Sequence, residues 1–393
     1  MSPDIENLLY NPMTAEFRQN PYPFYHELRE KDPIHWSPFF KCWIIARYQD
    51  AMTILQSDHF GVQSFQNSEN CLTAKMMQTW FASKNPPVHT SMRHMINKEF
   101  TPKKIKRLQP FIQEYSNQLI DQLQTSFDFL TAIAYPLPIA AMSRLLGIPV
   151  EDSQLIRGWT SSILQLMEAV FRRMPVQGKE QALEEMSNYL LKLIQKRRVH
   201  LEDDVLSYLI TQNEVPLSDE DLVANSFSFI LGGIETTASS IGNAMLALLQ
   251  HPQQYQKLQK NSALLESAVE ETLRYEAPVQ RMSRVVLQET TVGDKLLRQG
   301  DTVLILVGSV NRDPNKFVDP DQFNIERKSN NHLTFGLGRH FCLGANLARL
   351  ENQVIIDLVM QRLPNLELVN KQVQYRNSVS FRILENLLIN KPN

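Results

Sequence analysis

A chain of 393 residues, 43% of them hydrophobic, carries enough apolar material for a large buried core. Forty basic side chains against 42 acidic ones leave a formal charge of −2, without the basic excess expected of a nucleic-acid-binding protein. Three cysteines are too few for a disulfide framework and point to a reducing, cytoplasmic setting, no apolar run reaches the roughly 18 residues that would span a membrane, and the N-terminus lacks a secretion-signal layout.

In chain order, the first chemically suggestive stretch is NPPVHTSMRHMINKEFTP, where His89 and Arg93 stand four residues apart. On a helix they share a face, which makes either a basic pair suited to a carboxylate or an ordinary exposed polar face. Apolar residues at three- and four-residue spacing predict helices over 103–124, 181–197, 218–250 and 261–275. Ser218, followed by Asp219, Glu220 and Asp221, reads as a capped start for the third of these, which is apolar on most sides and so is expected to be buried. Strand signals are short: 43–46, 284–287, 302–307 and 387–389. Segment 311–334, rich in Pro, Asn and Asp, reads as an irregular connector, and a helix is expected from 345 onward. The pattern as a whole is mainly α with a smaller β portion, arranged as one domain over 1–393.

Three places carry chemistry. Within the long helix stands GGIETT, residues 232–237. Two glycines and two threonines are suited to close helix packing, yet the glycines cost about 1 kcal/mol each relative to alanine. Glu235 is a charge in an apolar run and needs a partner, water or a task. Thr236 can bond back to the carbonyl of Gly232 and loosen the helix, and such a turn beside an acid and an alcohol suits dioxygen binding and proton relay. In AVEETLRYEAP, Glu271 and Arg274 form an i,i+3 pair of a kind common on solvated helix faces. The third place is FGLGRHFCLG, residues 335–344. A buried structural thiol is the usual fate of a lone cysteine such as Cys342. Zinc is excluded because His340 and Cys342 have no second ligand pair at the right spacing. A dinucleotide loop is excluded by the missing third glycine and the poor preceding strand. A thiolate at a helix start is favoured by free N–H groups, and such a sulfur makes a strong axial ligand for haem iron. Glycines at 336, 338 and 344 would let backbone approach a flat macrocycle, with Phe335 shielding the sulfur and His340 reaching a propionate.

Phe335, Gly338, Cys342 and Gly344 match F-x-x-G-x-x-x-C-x-G, so the stretch closely resembles the haem-binding loop of the cytochrome P450 family. GGIETT matches that family's [AG]-G-x-[DE]-T-[TS], which implies that Glu235 and Thr236 deliver protons during oxygen activation. Glu271 and Arg274 match its E-x-x-R lock. The P-x-R-F element that completes the lock departs from pattern, reading Pro320, Asp321, Gln322, Phe323, so a weaker, less charged lock is expected. The resemblance, which runs in order from about residue 10 to 390 and includes NPYPFY, FTP at 100–102 and VNRDP at 310–314, implies haem b contacts by His89, Arg93, Gly232, Arg284, Phe335, Gly336, His340, Cys342 and Gly344, with Cys342 on the iron.

What the resemblance implies for function is insertion of one oxygen atom from O2 into a mainly apolar substrate, by C–H hydroxylation or epoxidation, in tailoring a polyketide, terpenoid, peptide-derived or fatty acyl compound that is free or bound to a carrier protein. Electrons from NAD(P)H would come through a ferredoxin or flavodoxin and its reductase, docking near Lys98, Lys103, Lys104, Lys106 and Arg107 on an otherwise monomeric protein. Pocket walls are placed at 60–82, 166–174, 229–233, 279–282 and 379–381, with Leu166, Phe171, Phe229, Gly233, Val279 and Phe381 as lining residues and Arg172 and Arg173 facing water. The alternatives are a peroxygenase driven by hydrogen peroxide, a non-catalytic haem sensor or carrier, and a haem-free helical binding protein.

Overall fold

The computed structural model describes residues 9–62, 72–171 and 180–391. Its axis is the 32-residue helix Asp219–Gln250, which is buried along most of its length. The helix starts where the sequence places it: the Ser218 hydroxyl accepts from the Asp221 amide while Asp221 accepts from the Ser218 amide, a reciprocal cap. Around it pack the helices Pro136–Leu146, Gln181–Val199, Leu265–Tyr275 and Ala345–Arg362. Leu222, Phe227, Ile230, Ile241 and Leu248 carry the apolar contact into a core shared with Ile133, Ile194, Val269 and Ile355.

The helix predicted over 103–124 is two helices, Pro102–Lys106 and Gln109–Asp121. Pro110 lacks an amide hydrogen and is tolerated in the first turn of the second helix but not in the interior of one continuous helix. Likewise 261–275 opens with a 3-10 turn, Ser262–Leu264, before Leu265–Tyr275.

The β portion is small and lies to one side. A five-stranded sheet runs in the order Ile34–Ser37, Cys42–Ile45, Thr302–Leu306, Arg281–Val286, Phe60–Gly61. Only the pairing of Cys42–Ile45 with Thr302–Leu306 is parallel. Ser126–Asp128, Leu388–Asn390 and Glu367–Leu368 form a second, three-stranded sheet that joins the chain's end to its first third. Segment 311–334 is irregular as expected, and among the described residues no helix is long and apolar enough to cross a membrane.

Candidate active site

The Cys342 loop is shaped by backbone requirements. Gly336 and Gly338 have φ of 70° and 73°, the left-handed region that glycine adopts without strain. A side chain on Gly338 would meet the Leu55 carbonyl oxygen at 2.6 Å. The Cys342 amide donates to the Phe335 carbonyl at 2.8 Å and closes the loop, and Gly344 is the N-cap of Ala345–Arg362. The sulfur opens into a cavity rather than bulk water. Burial pushes its pKa up, against the opposing pull of the Gly344 and Ala345 amides and of Arg93 and Arg349. The helix start alone therefore does not hold a thiolate here; a coordinated cation would, because it deprotonates a ligating thiol outright.

The cavity has a volume of about 380 Å³ and is mainly apolar, with Phe81, Phe100, Phe229, Val279, Met282 and Leu347 in its wall. Gly232, Gly233 and Thr236 of the long helix face it, as do Phe335, Cys342 and Gly344. Gly336 does not line it; its backbone geometry shapes the turn instead. One end gathers His89, Arg93, Arg284 and His340. Both ring nitrogens of His89 and Nε2 of His340 are buried without a hydrogen-bond partner, and the two rings are 4.0 Å apart. Burial, aided by His89, Arg284, Arg339 and Arg93, pushes His340 down to about 3, and burial pushes Arg284 down to about 10. Among the described residues no carboxylate is paired with this basic quartet. Such a set wants an anionic guest, and two carboxylates on one flat molecule would supply charge-assisted bonds to all four. Nor could any cluster of three His, Cys, Asp or Glu among the described residues hold a bare metal ion. An ion on Cys342 must bring its other ligands with it, as iron in a dicarboxylic porphyrin does. The site fits haem on both counts.

Glu235 does not join Thr236 in this cavity. The Thr236 hydroxyl donates to the Gly232 carbonyl at 2.6 Å, yet the helix continues through this turn without a break. A side chain on Gly232 would meet nothing within 4 Å, whereas one on Gly233 would strike Met142 Cε at 2.2 Å. The Glu235 side chain, 3% exposed, points to the other side, into a second cavity of about 560 Å³. There its carboxylate accepts from the Tyr135 hydroxyl at 2.7 Å, with Arg376 at 3.8 Å. A π-helical turn, Leu130–Ala134, closed by a 2.9 Å bond from the Tyr135 amide to the Leu130 carbonyl, presents Tyr135 to the acid. Burial pushes the Glu235 carboxyl up, while Tyr135, Arg376 and Arg157 hold it back. Leu166 and Phe381 line this second cavity, so among the described residues Phe229, Gly233 and Val279 are the expected pocket residues that line the Cys342 cavity. Much of 60–82, the Phe171 side chain, Arg172 and Arg173 lie outside the described residues. Tyr135 and Arg376 were missed because nothing local in the sequence marks them.

Glu271 and Arg274 are not a solvated pair. Both side chains are 0% exposed, joined by bonds of 2.7 and 2.9 Å. The expected weakness at Gln322 is corrected by Arg327, whose Nε donates to the two Glu271 oxygens at 3.2 and 3.0 Å. Gln322 turns its side chain outward and contributes only its carbonyl, which accepts from both arginines. Lock and cysteine loop are tied together by Thr334, whose hydroxyl donates to the Leu273 carbonyl at 2.8 Å.

The sequence model of the family "Cytochrome P450" matches residues 158–378. The chain is 34% identical to the "Polyketide biosynthesis cytochrome P450 PksS" of Bacillus subtilis (strain 168), over 98% of each chain. It is 35% identical to the "Biotin biosynthesis cytochrome P450" of the same organism, over 95% of this chain and 97% of that one. Among solved structures, P450BioI in complex with a hexadec-9Z-enoic acid ligated acyl carrier protein superposes with a TM-score of 0.91 at 35% identity, covering 96% of this chain and 99% of that one.

Proposed function

This chain belongs to the cytochrome P450 family, and from that premise we propose that it is a haem-thiolate monooxygenase acting on a long, mainly apolar acyl or polyketide-type substrate, by hydroxylation or epoxidation. When bound, haem would supply the oxygen activation and the redox chemistry. The chain's own residues do the rest. Cys342 would hold the iron through its sulfur. His89, Arg93, Arg284 and His340 would receive the two propionates, which would neutralise two otherwise unpaired guanidiniums and give the partnerless imidazole nitrogens an acceptor. The Phe81, Phe229 and Val279 walls exclude water and bind apolar chain by area alone. Thr236, in the wall of the same cavity as Cys342, holds a hydroxyl that is bonded back to Gly232. Glu235 stands on the far side of the same helix turn, held by Tyr135 with its pKa raised by burial, and is the acid nearest in sequence to the Thr236 hydroxyl.

The observation that carries this reading is the meeting, in one apolar cavity, of a lone cysteine, an unneutralised basic quartet and the Thr236 turn. Support for a polyketide-type substrate comes from the name of one relative, and support for an acyl chain held on a carrier protein comes from the acyl-carrier complex of the superposed structure. Exposed Lys98, Lys103, Lys106 and Arg107 offer an acidic ferredoxin or flavodoxin a docking face. The test is the absorption spectrum of the haem-loaded, reduced protein with carbon monoxide, followed by turnover of free and carrier-bound fatty acyl chains. A thiolate-type band that Cys342→Ser abolishes, with oxygenated product dependent on O2 and the electron partners, is expected. Product formed with hydrogen peroxide alone would replace the monooxygenase with a peroxygenase. A protein that takes up no haem would end the reading.

A further inference from the structure

Beneath the cysteine loop lies a charged cluster that none of the roles above uses. Arg349, one turn into the helix that follows Cys342, donates from Nε and Nη2 to the two oxygens of Glu270 at 2.7 and 2.9 Å. His332 Nε2 stands 3.2 Å from the same carboxylate, too poorly aligned to count as a hydrogen bond. Its Nδ1 accepts from the Thr334 amide at 3.2 Å, which places the ring proton on the nitrogen facing Glu270. Burial alone would raise the Glu270 pKa, but Arg349 and His332 outweigh it and hold the carboxyl at about 2. The guanidinium carbon lies 4.5 Å over the Phe335 ring centroid. Phe335 is the residue whose carbonyl receives the Cys342 amide, so the cation sits one ring away from the loop that carries the sulfur.

We propose that Arg349 is a positioning residue that tunes the haem–thiolate couple: it presents a fixed cation to Cys342 across Phe335, and Glu270 sets how much of that charge the sulfur feels. This rests on the haem-thiolate reading above. The other cation that acts on the sulfur, Arg93, lines the cavity and would be neutralised by a propionate of bound haem, which would leave Arg349, outside the cavity wall, as the remaining influence. The bidentate fork and the ring hold the guanidinium in one place relative to the cysteine loop, and its charge favours the negative form of the sulfur. Reduction adds one electron to the iron and its ligand, and a nearby cation stabilises the more negative state.

The two partners therefore have opposite signs. In the haem-loaded protein, with dithionite as titrant, Arg349→Gln is expected to make reduction about tenfold less favourable, a shift of about 59 mV to more negative potential for a one-electron couple. Glu270→Gln leaves the guanidinium uncompensated and shifts the potential positive. Arg349→Lys keeps the charge but loses the fork and falls between wild type and Arg349→Gln. A purely structural cluster would move both glutamine variants the same way, with loss of the thiolate-type carbon monoxide band, and that result overturns the proposal, as does an unchanged potential in both with the band intact. If Arg349→Gln does not fold, the sign of the Glu270→Gln shift decides alone: positive supports the proposal, zero or negative ends it. Failure of the unaltered protein to show a thiolate band would instead count against the haem-thiolate reading.

Discussion

Arg327 reaches back to within 3.0 Å of the Glu271 carboxylate and completes, from four residues further along the chain, a lock that Phe323 and its neighbours leave open. Glu271 thus faces two guanidiniums and also accepts from the Asn324 amide and Asn330 Nδ2. A buried carboxylate so surrounded is a fixed point on which the irregular segment 311–334 is hung.

Removing one partner of a buried ion pair is strongly destabilising. Arg327→Ala is expected to cost about 3 kcal/mol, the low end of that range because Arg274 remains in place. Gln322→Arg is expected to change stability little, since its target is already occupied. Denaturant unfolding of both variants, followed alongside haem content, checks the pair.

Thr236→Ala removes the hydroxyl from the cavity wall while leaving every haem-contacting group in place. Haem binding and the thiolate spectrum are expected to persist, with the ratio of hydrogen peroxide released to product formed rising by roughly tenfold or more, as for a lost proton-transfer group. Electron consumption measured against product would show full coupling if Thr236 had no such role.

Tyr135→Phe takes away the hydroxyl that stabilises the ionised form of Glu235. The Glu235 pKa then climbs further, so any limb of the pH profile of coupling that reports this acid moves to higher pH. Glu235→Gln should abolish that limb. Coupling measured across pH in the three proteins tests the assignment.

Glu351 is 1% exposed, and its Oε2 has no partner among the described residues, so burial raises its pKa well above the ordinary 4.5. A folded-state pKa above the unfolded one means that the native state binds more protons, so stability is fully present below about pH 4.5 and is lost as pH rises through the folded value. Glu351→Gln is expected to remove this slope and to stabilise the protein at neutral pH by about 1–3 kcal/mol, the cost of an unsatisfied buried group. Chemical unfolding at pH 5 and pH 8 reads both effects.

Gly232→Ala should raise thermal stability by up to about 1 kcal/mol through helix propensity, because the new methyl meets nothing within 4 Å. The methyl points into the Cys342 cavity, so haem uptake should weaken in parallel, read as haem content. Gly233→Ala should instead be neutral or destabilising, because Met142 must move.

What could be read from the sequence was local. The Ser218 cap, the buried helix, the Thr236 back-bond and the cysteine loop each depend on residues within a few positions of one another. The break at Pro110 was open to reading from the proline itself but was overridden by the apolar spacing on either side, whereas the turn of Glu235 into the second cavity was not, because helical periodicity gives the face of a residue without saying what lies opposite. Tyr135, Arg376 and Arg327 escaped for a different reason: the bond from Tyr135 to Glu235 spans 100 residues and that from Arg327 to Glu271 spans 56, and neither leaves a spacing pattern.

The unpaired basic quartet has a consequence for how the protein is made. Before the pigment arrives, two guanidiniums and two proton-refusing imidazoles are confined at one end of a mainly apolar cavity, which loads a free-energy penalty onto the empty chain. Ligand binding then acts as a folding term that grows with the logarithm of free cofactor over its dissociation constant. Iron-starved cells would accumulate a protease-sensitive apoprotein, and the amount of intact polypeptide would track porphyrin supply even at constant synthesis.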